Sequence, residues 1–339
     1  MTLQFRTARP VGRPWSLDAP LTRVPLADPA ELQPVDEREW PWPGRNRRYG
    51  DLTVHVRETP AHTANPVPAV YLHGLGGSAT NWTELAGLLS GRAEGLAVDL
   101  PGFGLSPPSQ LGDYRMSAQA EAVATILDAR GGVPAHLLGN SMGGGIALLL
   151  AAARPDLARS LTLISPAMPD LRPDFRRLSD PREALAVLPF VGRRARRRLA
   201  DVSARDQVVR MLQLCFAEPH RVPDSRIALA EAELVEQLAL PWAGQASGPA
   251  AGAIFREWLV PPQRSLWSVL PRVHTPTLVV WGARDRVISV RKAPRTTRLL
   301  PAGRLLVLPR TGHTAQMERP VTVARAVLAM WEAADAGTW

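Results

Sequence analysis

Residues 136–145 constrain the fold of this chain more than any other segment. An apolar run ends at Gly139, Ser141 lies between Gly139 and Gly143, and a helix-like apolar stretch follows at 146–153. A Gly-x-Ser-x-Gly pattern at a strand-to-helix junction predicts a sharp turn that holds the serine at a strained backbone angle. A β-carbon at either flanking position would collide with the neighbouring strand and helix, so glycine is needed there. The turn should present the hydroxyl above a sheet, at the N-terminus of a helix.

Two further side chains follow in an order suited to serine chemistry. Asp285 lies in the loop after one predicted strand, and His313 lies in a Gly-His turn after the next. A serine hydroxyl is a poor nucleophile at neutral pH, because it needs an imidazole to take its proton and a carboxylate to orient that imidazole. We therefore predict Ser141 as nucleophile, His313 as general base and Asp285 as the orienting acid.

Strand and helix patterns alternate along most of the chain, which predicts a mainly parallel sheet covered by helices on both faces. Residues 1–46 are rich in proline and are expected to form an irregular arm that lies against the body. The stretch 167–270 contains no convincing strand and predicts helices near 181–191, 204–218 and 224–240, with Asp224 as the N-cap of the last. Strands are expected near 69–73, 95–99, 135–140, 161–165, 277–281 and 304–308, with a pair of short strands at 49–57, and helices near 82–90, 117–129, 142–153, 290–300 and 318–334.

Four ordered motifs resemble those of serine-dependent α/β hydrolases that carry a helical cap. They are the segments around Ser141, Asp285 and His313, together with a strand that runs into the His-Gly loop at 73–77; the Asp-x-x-Gly-x-Gly-x-Ser segment at 99–106 agrees with them. The resemblance implies an α/β-hydrolase fold with an eight-stranded sheet. Its core would comprise 47–166 and 271–339, and a helical cap would comprise 167–270.

The resemblance also implies roles for residues around the serine. Oxyanion donors are expected from the backbone N–H groups of Leu75 and Met142. His73, Gly74 and Asn140 are expected to contact substrate; for His73, organising the loop is favoured over a chemical role, and Asn140 could equally brace the turn. Some related families place their acid after the preceding strand, which leaves Asp170 and Asp174 as alternatives to Asp285.

The composition of the chain limits its possible disulfides, its location and its classes of binding partner. A single cysteine, Cys215, excludes an intramolecular disulfide, and its apolar neighbours indicate a small buried side chain. No apolar run is long enough to span a membrane and no signal peptide is evident, so a cytoplasmic location is expected. The net charge of +9 comes mostly from scattered arginines and does not predict nucleic-acid binding. The arginine cluster at 193–198 is either a solvated helix face or a site that docks an acidic surface or an anionic substrate.

The reaction class follows from what the motifs retain and lack. Ser141 argues against epoxide hydrolases and haloalkane dehalogenases, which use aspartate there, and Thr314 replaces the lysine of hydroxynitrile lyases. The segment 139–144 also resembles meta-cleavage carbon–carbon hydrolases, although that family usually has tryptophan at the position of Thr314. We predict hydrolysis of carboxylic esters with apolar short-to-medium acyl or aromatic groups, without metal or cofactor. The alternatives are carbon–carbon hydrolysis and a binding protein that has lost turnover; oligomeric state is not predicted.

Overall fold

An eight-stranded sheet forms the centre of the computed structural model, which describes residues 24–34, 41–169 and 202–339. The strands are β1 (Gly44–Tyr49), β2 (Leu52–Thr59), β3 (Val67–Leu72), β4 (Ala93–Val98), β5 (Ala135–Asn140), β6 (Ala158–Ile164), β7 (Thr277–Gly282) and β8 (Gly303–Leu308). Their order across the sheet is β1-β2-β4-β3-β5-β6-β7-β8. β2 pairs antiparallel with β1 and β4, and every other pairing is parallel. The predicted fold class is confirmed.

Helices cover both faces of this sheet. The described helices are α1 (Thr83–Leu89), α2 (Met116–Ala129), α3 (Met142–Ala153), α4 (Ala204–Cys215), α5 (Asp224–Leu238), α6 (Ser247–Leu259), α7 (Ala293–Leu299), α8 (Ala315–Glu318) and α9 (Pro320–Asp335). Short 3₁₀ segments lie at Pro29–Glu31, Ala79–Trp82, Pro155–Leu157, Pro219–Arg221, Pro262–Arg264, Leu266–Ser268, Leu270–Arg272 and Val290–Lys292.

Strand alternation divides the core into two apolar clusters, one on each face. In β3, Val70 and Leu72 belong to the cluster covered by α2, α3 and α7, whereas Ala69 and Tyr71 belong to the cluster covered by α1 and α9. Side chains in a strand point to opposite faces in turn, so a strand buried on both sides is apolar at every position. This explains why the central strands are continuous apolar runs. The parallel strands point their carboxyl ends to one edge, where the loops that carry chemistry meet.

The first strand begins earlier than the sequence predicts. β1 starts at Gly44, and all of its residues before Tyr49 are exposed. It is an edge strand with three arginines, so it has no apolar alternation to reveal it. Charged side chains on such an edge also discourage pairing with a second chain.

The described part of the N-terminal arm packs against the body. Val24 and Ala27 are buried, and the Ala27 N–H donates to the Arg325 carbonyl at 3.0 Å while the Arg325 guanidinium donates back to the Ala27 carbonyl at 2.6 Å. The Trp42 indole N–H donates to the Thr83 carbonyl at 2.9 Å. Trp15 and Trp40, which are also expected to anchor the arm, lie outside the described residues.

The inserted stretch is helical where it is described. α4 and α5 pack on each other, and α6 contacts α2 of the core. Pro223, not Asp224, is the N-cap of α5, because its extended backbone (φ −62°, ψ 146°) precedes the first helical residue. The predicted helix at 181–191, the arginine cluster at 193–198 and the alternative acids Asp170 and Asp174 all lie outside the described residues.

Candidate active site

Ser141 lies at the junction of β5 and α3 in a strained conformation. Its φ is 54° and its ψ is −115°, and its N–H donates to the Ile164 carbonyl at 2.9 Å. A β-carbon on Gly139 would overlap the backbone of Gly143, and one on Gly143 would overlap the Leu72 carbonyl. The two glycines therefore allow strand, turn and helix to approach closely enough to force the serine into this geometry. Such strain persists only where the surroundings over-determine it.

Asp285 and His313 form a buried hydrogen-bonded pair. Asp285 Oδ2 lies 2.9 Å from His313 Nδ1, and their side chains are 0% and 5% exposed. The other oxygen, Asp285 Oδ1, accepts the N–H groups of Val287 and Ile288, each at 2.8 Å. These bonds fix the carboxylate in one orientation. A carboxylate at Nδ1 holds the proton there and leaves Nε2 as the acceptor, which is the tautomer that a general base needs.

The backbone of His313 is held from two sides. On one side, the Asn140 amide donates to the carbonyls of Ile164 and His313, each at 3.1 Å. On the other, the His313 N–H donates to the Cys215 carbonyl at 2.6 Å. Asn140 immediately precedes Ser141, so this amide links the serine turn directly to the histidine loop. Both amide protons are used in that bracing, which leaves only the oxygen of Asn140 for a ligand.

The His-Gly loop after β3 passes close to the serine. A β-carbon on Gly74 would lie 3.1 Å from Ser141 Cβ, so only glycine lets the loop backbone come so near. His73 is fully buried; its Nδ1 donates to the Gly74 carbonyl at 2.7 Å, and its Nε2 accepts the Leu100 N–H at 3.0 Å. Burial lowers the pKa of His73 to about 4, so the ring is neutral at physiological pH. With both nitrogens engaged, His73 shapes the loop and cannot hydrogen-bond to a substrate.

Asp99 is a structural residue to which the sequence analysis assigned no role. Its carboxylate accepts the Ala79 N–H at 2.6 Å and the Leu105 N–H at 2.8 Å, and so joins the loops that follow β3 and β4. Gly104, at φ +53°, packs against this carboxylate. Burial raises the pKa of Asp99 to about 7, although its hydrogen bonds oppose the shift. The Asp-x-x-Gly-x-Gly-x-Ser motif at 99–106 is the sequence feature from which this role of Asp99 could have been predicted.

The inserted helices contact the site from two directions. From α5, Glu233 accepts a hydrogen bond from the Thr80 hydroxyl at 2.7 Å, close behind the His-Gly loop. From α4, the methyl group of Met211 would lie 4.0 Å from a β-carbon on Gly76, in the same loop. The insertion thus touches the His-Gly loop through α4, the 3₁₀ segment Ala79–Trp82 through α5, and the histidine loop through Cys215.

Cys215 is less buried than its apolar neighbours predict. The residue is half-buried at the end of α4, and its Sγ lies 3.6 Å from Met211 Sδ. Although the residue as a whole is half-buried, its thiol is buried. This burial, together with the nearby carboxylates of Asp285 and Glu318, raises the pKa of the thiol to about 12. A thiol that stays protonated is a weak nucleophile, so the contribution of Cys215 is its backbone carbonyl.

The described residues form neither a metal site nor a membrane-spanning helix. Within 24–34, 41–169 and 202–339, no three histidine, cysteine, aspartate or glutamate side chains are grouped to hold a metal ion. None of the helices in those ranges combines the length and apolar character that a membrane span needs.

Comparison with known proteins places this geometry in a family. Residues 68–320 match the model of the alpha/beta hydrolase fold family. Lipase 3 of Moraxella sp. (strain TA144) is 26% identical over 252 residues, which cover 74% of this chain and 73% of that protein. A membrane phospholipase A, described as a bacterial virulence factor, superposes with a TM-score of 0.68 at 26% identity, covering 91% of this chain and 88% of the other.

A third similarity concerns the fold alone. The 2-hydroxy-6-oxo-6-phenylhexa-2,4-dienoate hydrolase from Rhodococcus sp. strain RHA1 superposes with a TM-score of 0.68 at 21% identity, covering 86% of this chain and 98% of that protein. The family model spans most of the chain, including the strained serine, the buried Asp–His pair and the loops between them. The chain belongs to the α/β hydrolase fold family.

Proposed function

We propose that this protein is a serine hydrolase that cleaves carboxylic esters of apolar short-to-medium acyl or aromatic groups. The observation that carries the proposal is the Asp285–His313 pair, which is bonded at 2.9 Å and is joined through Asn140 to the strained turn of Ser141. An imidazole oriented by a buried carboxylate is the base that a serine nucleophile needs for acyl transfer. The similarity to a lipase supports an ester as substrate.

The reaction would proceed through an acyl-enzyme. His313 Nε2 takes the proton of Ser141 Oγ as that oxygen attacks the acyl carbon, and the carbonyl oxygen becomes an oxyanion. The protonated imidazole then gives its proton to the departing alcohol, and water repeats the sequence on the acyl-enzyme. Asp285 stabilises the imidazolium in both steps. These steps need no metal or cofactor.

Leu75 and Met142 would donate their backbone N–H groups to the oxyanion. Met142 is the first residue of α3, where N–H groups have no partner within the helix and the helix dipole favours negative charge. Leu75 follows Gly74, where a β-carbon would lie 3.1 Å from Ser141 Cβ. Removing one such donor typically costs about 10²–10³-fold in kcat.

Two exposed apolar side chains at the His-Gly loop support an apolar substrate. Leu75 and Met211 are 37% and 46% exposed, and both belong to elements that meet at the His-Gly loop. Large apolar side chains left open to solvent beside a reactive group favour an apolar acyl chain. The described insertion adds further aromatic residues, namely Phe216, Trp242, Phe255, Trp258 and Trp267, while Phe175 and Phe190 lie outside the described residues.

A fluorophosphonate probe followed by an ester series tests the proposal. The wild-type protein should be labelled at Ser141, and the Ser141→Ala variant should be folded, unlabelled and lower in kcat by several orders of magnitude. p-Nitrophenyl butyrate and hexanoate should be turned over with higher kcat/KM than acetate. Failure of the probe to label the wild-type protein would favour a binding protein with the fold but no turnover.

Carbon–carbon hydrolysis is the second candidate. The segment 139–144 resembles that of meta-cleavage hydrolases, and one such enzyme shares the fold. A vinylogous diketone assayed beside the esters separates the two reactions. If the diketone were cleaved with the higher kcat/KM, carbon–carbon hydrolysis would replace ester hydrolysis. If a dicarboxylate monoester were preferred to butyrate and hexanoate, the apolar preference would be wrong and the 193–198 arginines would become candidate contacts.

A further inference from the structure

Glu318 connects the inserted helices to the loop that carries His313. Its Oε1 accepts the N–H groups of Ala217 and Glu218 at 2.8 and 3.3 Å, and its Oε2 accepts the N–H of Gly312. Ala217 and Glu218 follow Phe216, the C-cap of α4, and Gly312 directly precedes His313. One carboxylate therefore holds two backbone segments that are about 100 residues apart in the chain.

A direct backbone contact lies beside this carboxylate. The His313 N–H donates to the Cys215 carbonyl at 2.6 Å, and a β-carbon on Gly312 would lie 2.8 Å from the Ala217 nitrogen. The two segments are thus packed backbone to backbone, with no room for a side chain between them. Glu318 reinforces this contact by accepting hydrogen bonds from backbone N–H groups of both segments.

A carboxylate is the side chain suited to this position. When ionised it only accepts hydrogen bonds and has lone pairs for several donors, and bonds from N–H groups to a charged acceptor are stronger than neutral ones. Burial raises the pKa of Glu318, and the three backbone N–H groups and Arg319 act in the opposite direction. An amide here would have to aim its own N–H₂ group at a backbone N–H.

We propose that Glu318 is a positioning residue that seats the His313 loop on the segment after α4, so that the placement of the inserted helices sets the alignment of the imidazole. The proposal rests on the proposed function in so far as His313 is the general base. Proton transfer depends steeply on alignment, since a displacement of about 1 Å can cost on the order of 10²-fold in rate. The insertion would thus support catalysis as well as enclosing substrate.

The Glu318→Gln variant tests this proposal in the full-length protein. It keeps the size of the side chain and one acceptor oxygen, but it sets an N–H₂ group against one of the backbone donors. We expect kcat for p-nitrophenyl butyrate to fall about 10- to 100-fold with KM changed less than about threefold. The rate of fluorophosphonate labelling should fall by the same factor as kcat, because labelling also needs His313 as a base.

The Glu218→Gln variant is the matched control. The Glu218 carboxylate pairs with Arg319 at 2.9 Å and Arg221 at 3.2 Å, so it also links the insertion to the core. Neither of these arginines belongs to the histidine loop, and the Glu218 N–H stays available to Glu318. We expect kcat within about twofold of wild type, in keeping with the small contribution of partly exposed ion pairs.

Amide hydrogen exchange provides a readout that does not depend on turnover. The Gly312 and His313 N–H groups should be protected in the wild type and should exchange faster in Glu318→Gln, with protection in β5 and β7 unchanged. This result is expected even if the protein proves not to hydrolyse esters. If Glu318→Gln fails to fold, Glu318→Asp should show a smaller loss in kcat of the same kind.

Two results would overturn the proposal. One is a folded Glu318→Gln protein with wild-type kcat, labelling rate and exchange at Gly312 and His313. The other is a loss of activity that disappears when the assay temperature is lowered in step with the melting temperature, because Glu318 would then act on stability alone.

Discussion

Replacing Asp285 with asparagine should reverse the tautomer of His313. The carboxylate accepts three N–H groups, from Val287, Ile288 and His313 Nδ1. Asparagine has only one oxygen, so it can serve either the two backbone donors or the imidazole. Turning the oxygen toward the imidazole would leave two backbone N–H groups facing an N–H₂ group. At about 1–3 kcal/mol for each unsatisfied buried group, that orientation is disfavoured by several kcal/mol.

The amide oxygen should therefore stay on the backbone donors, and the amide nitrogen should face the imidazole. His313 Nδ1 must then accept a hydrogen bond, which moves the ring proton to Nε2, where it blocks proton transfer from Ser141. A buried triad with this substitution loses about 10⁴-fold in kcat, which corresponds to about 5.5 kcal/mol of transition-state stabilisation. Folding should be nearly unaffected, because both backbone contacts of the side chain are kept.

Steady-state hydrolysis of p-nitrophenyl butyrate and the rate of fluorophosphonate labelling would measure this loss, with circular dichroism to verify folding. Asp170→Asn and Asp174→Asn are the controls, and both should retain full activity. An Asp285→Asn protein within tenfold of wild type would refute the tautomer argument. If one of the two controls lost activity instead, the orienting acid would lie after β6.

Three further predictions concern packing, pH and the acyl chain. Gly143→Ala should lower the melting temperature by many degrees, because the new methyl group would overlap a backbone carbonyl of β3. Gly252→Ala, in the open interior of α6, should instead stabilise the protein by about 0.5–1 kcal/mol, and equal melting temperatures for the two variants would contradict this prediction. Burial lowers the pKa of His136 to about 3, so its contribution to stability is present at neutral pH and is lost as pH falls below about 6.5. His136→Phe keeps an aromatic ring stacked on Trp331 and removes the titrating group. Urea titrations should therefore show that the slope of unfolding free energy against pH, between pH 6 and 4, falls by about 1.4 kcal/mol per pH unit. An unchanged slope would refute the lowered pKa of His136. Met211→Ala should make room for more acyl methylenes and raise the ratio of kcat/KM for octanoate over butyrate esters, whereas Met211→Trp should lower that ratio. Each buried methylene contributes about 0.8 kcal/mol. An unchanged ratio in both variants would mean that the acyl chain does not lie against residue 211.

The features that the sequence did not predict depend on residues distant in the chain or on burial. β1 is an exposed edge strand of arginines, and the apolar pattern that reveals a strand depends on burial. Asp99 and His73 lie in motifs that the sequence displays, yet their partners (Ala79 and Leu105 for one, Leu100 for the other) follow from how neighbouring loops fold back on each other. The N-cap of α5 is Pro223, one position before the predicted Asp224, because the backbone geometry sets where the helix begins.

The sequence by itself determined the serine turn and the order of the chain around it. The close approach of Gly139 and Gly143, the switch from strand to helix at Ser141, and the loops that end in Asp285 and His313 are each encoded within a few consecutive residues. Short-range sterics and hydrophobic periodicity act over that distance, so a pattern is enough to predict them.

Only the tertiary structure decided how the inserted helices join the loop that carries His313. The Cys215 carbonyl that holds His313, and the Glu318 carboxylate that spans Ala217 and Gly312, depend on backbone groups about 100 residues apart in the chain. Every residue carries an N–H and a C=O, so no side-chain pattern marks which of them will pair. That pairing depends on where the segment after α4 lies against the His313 loop, which no local stretch of sequence specifies.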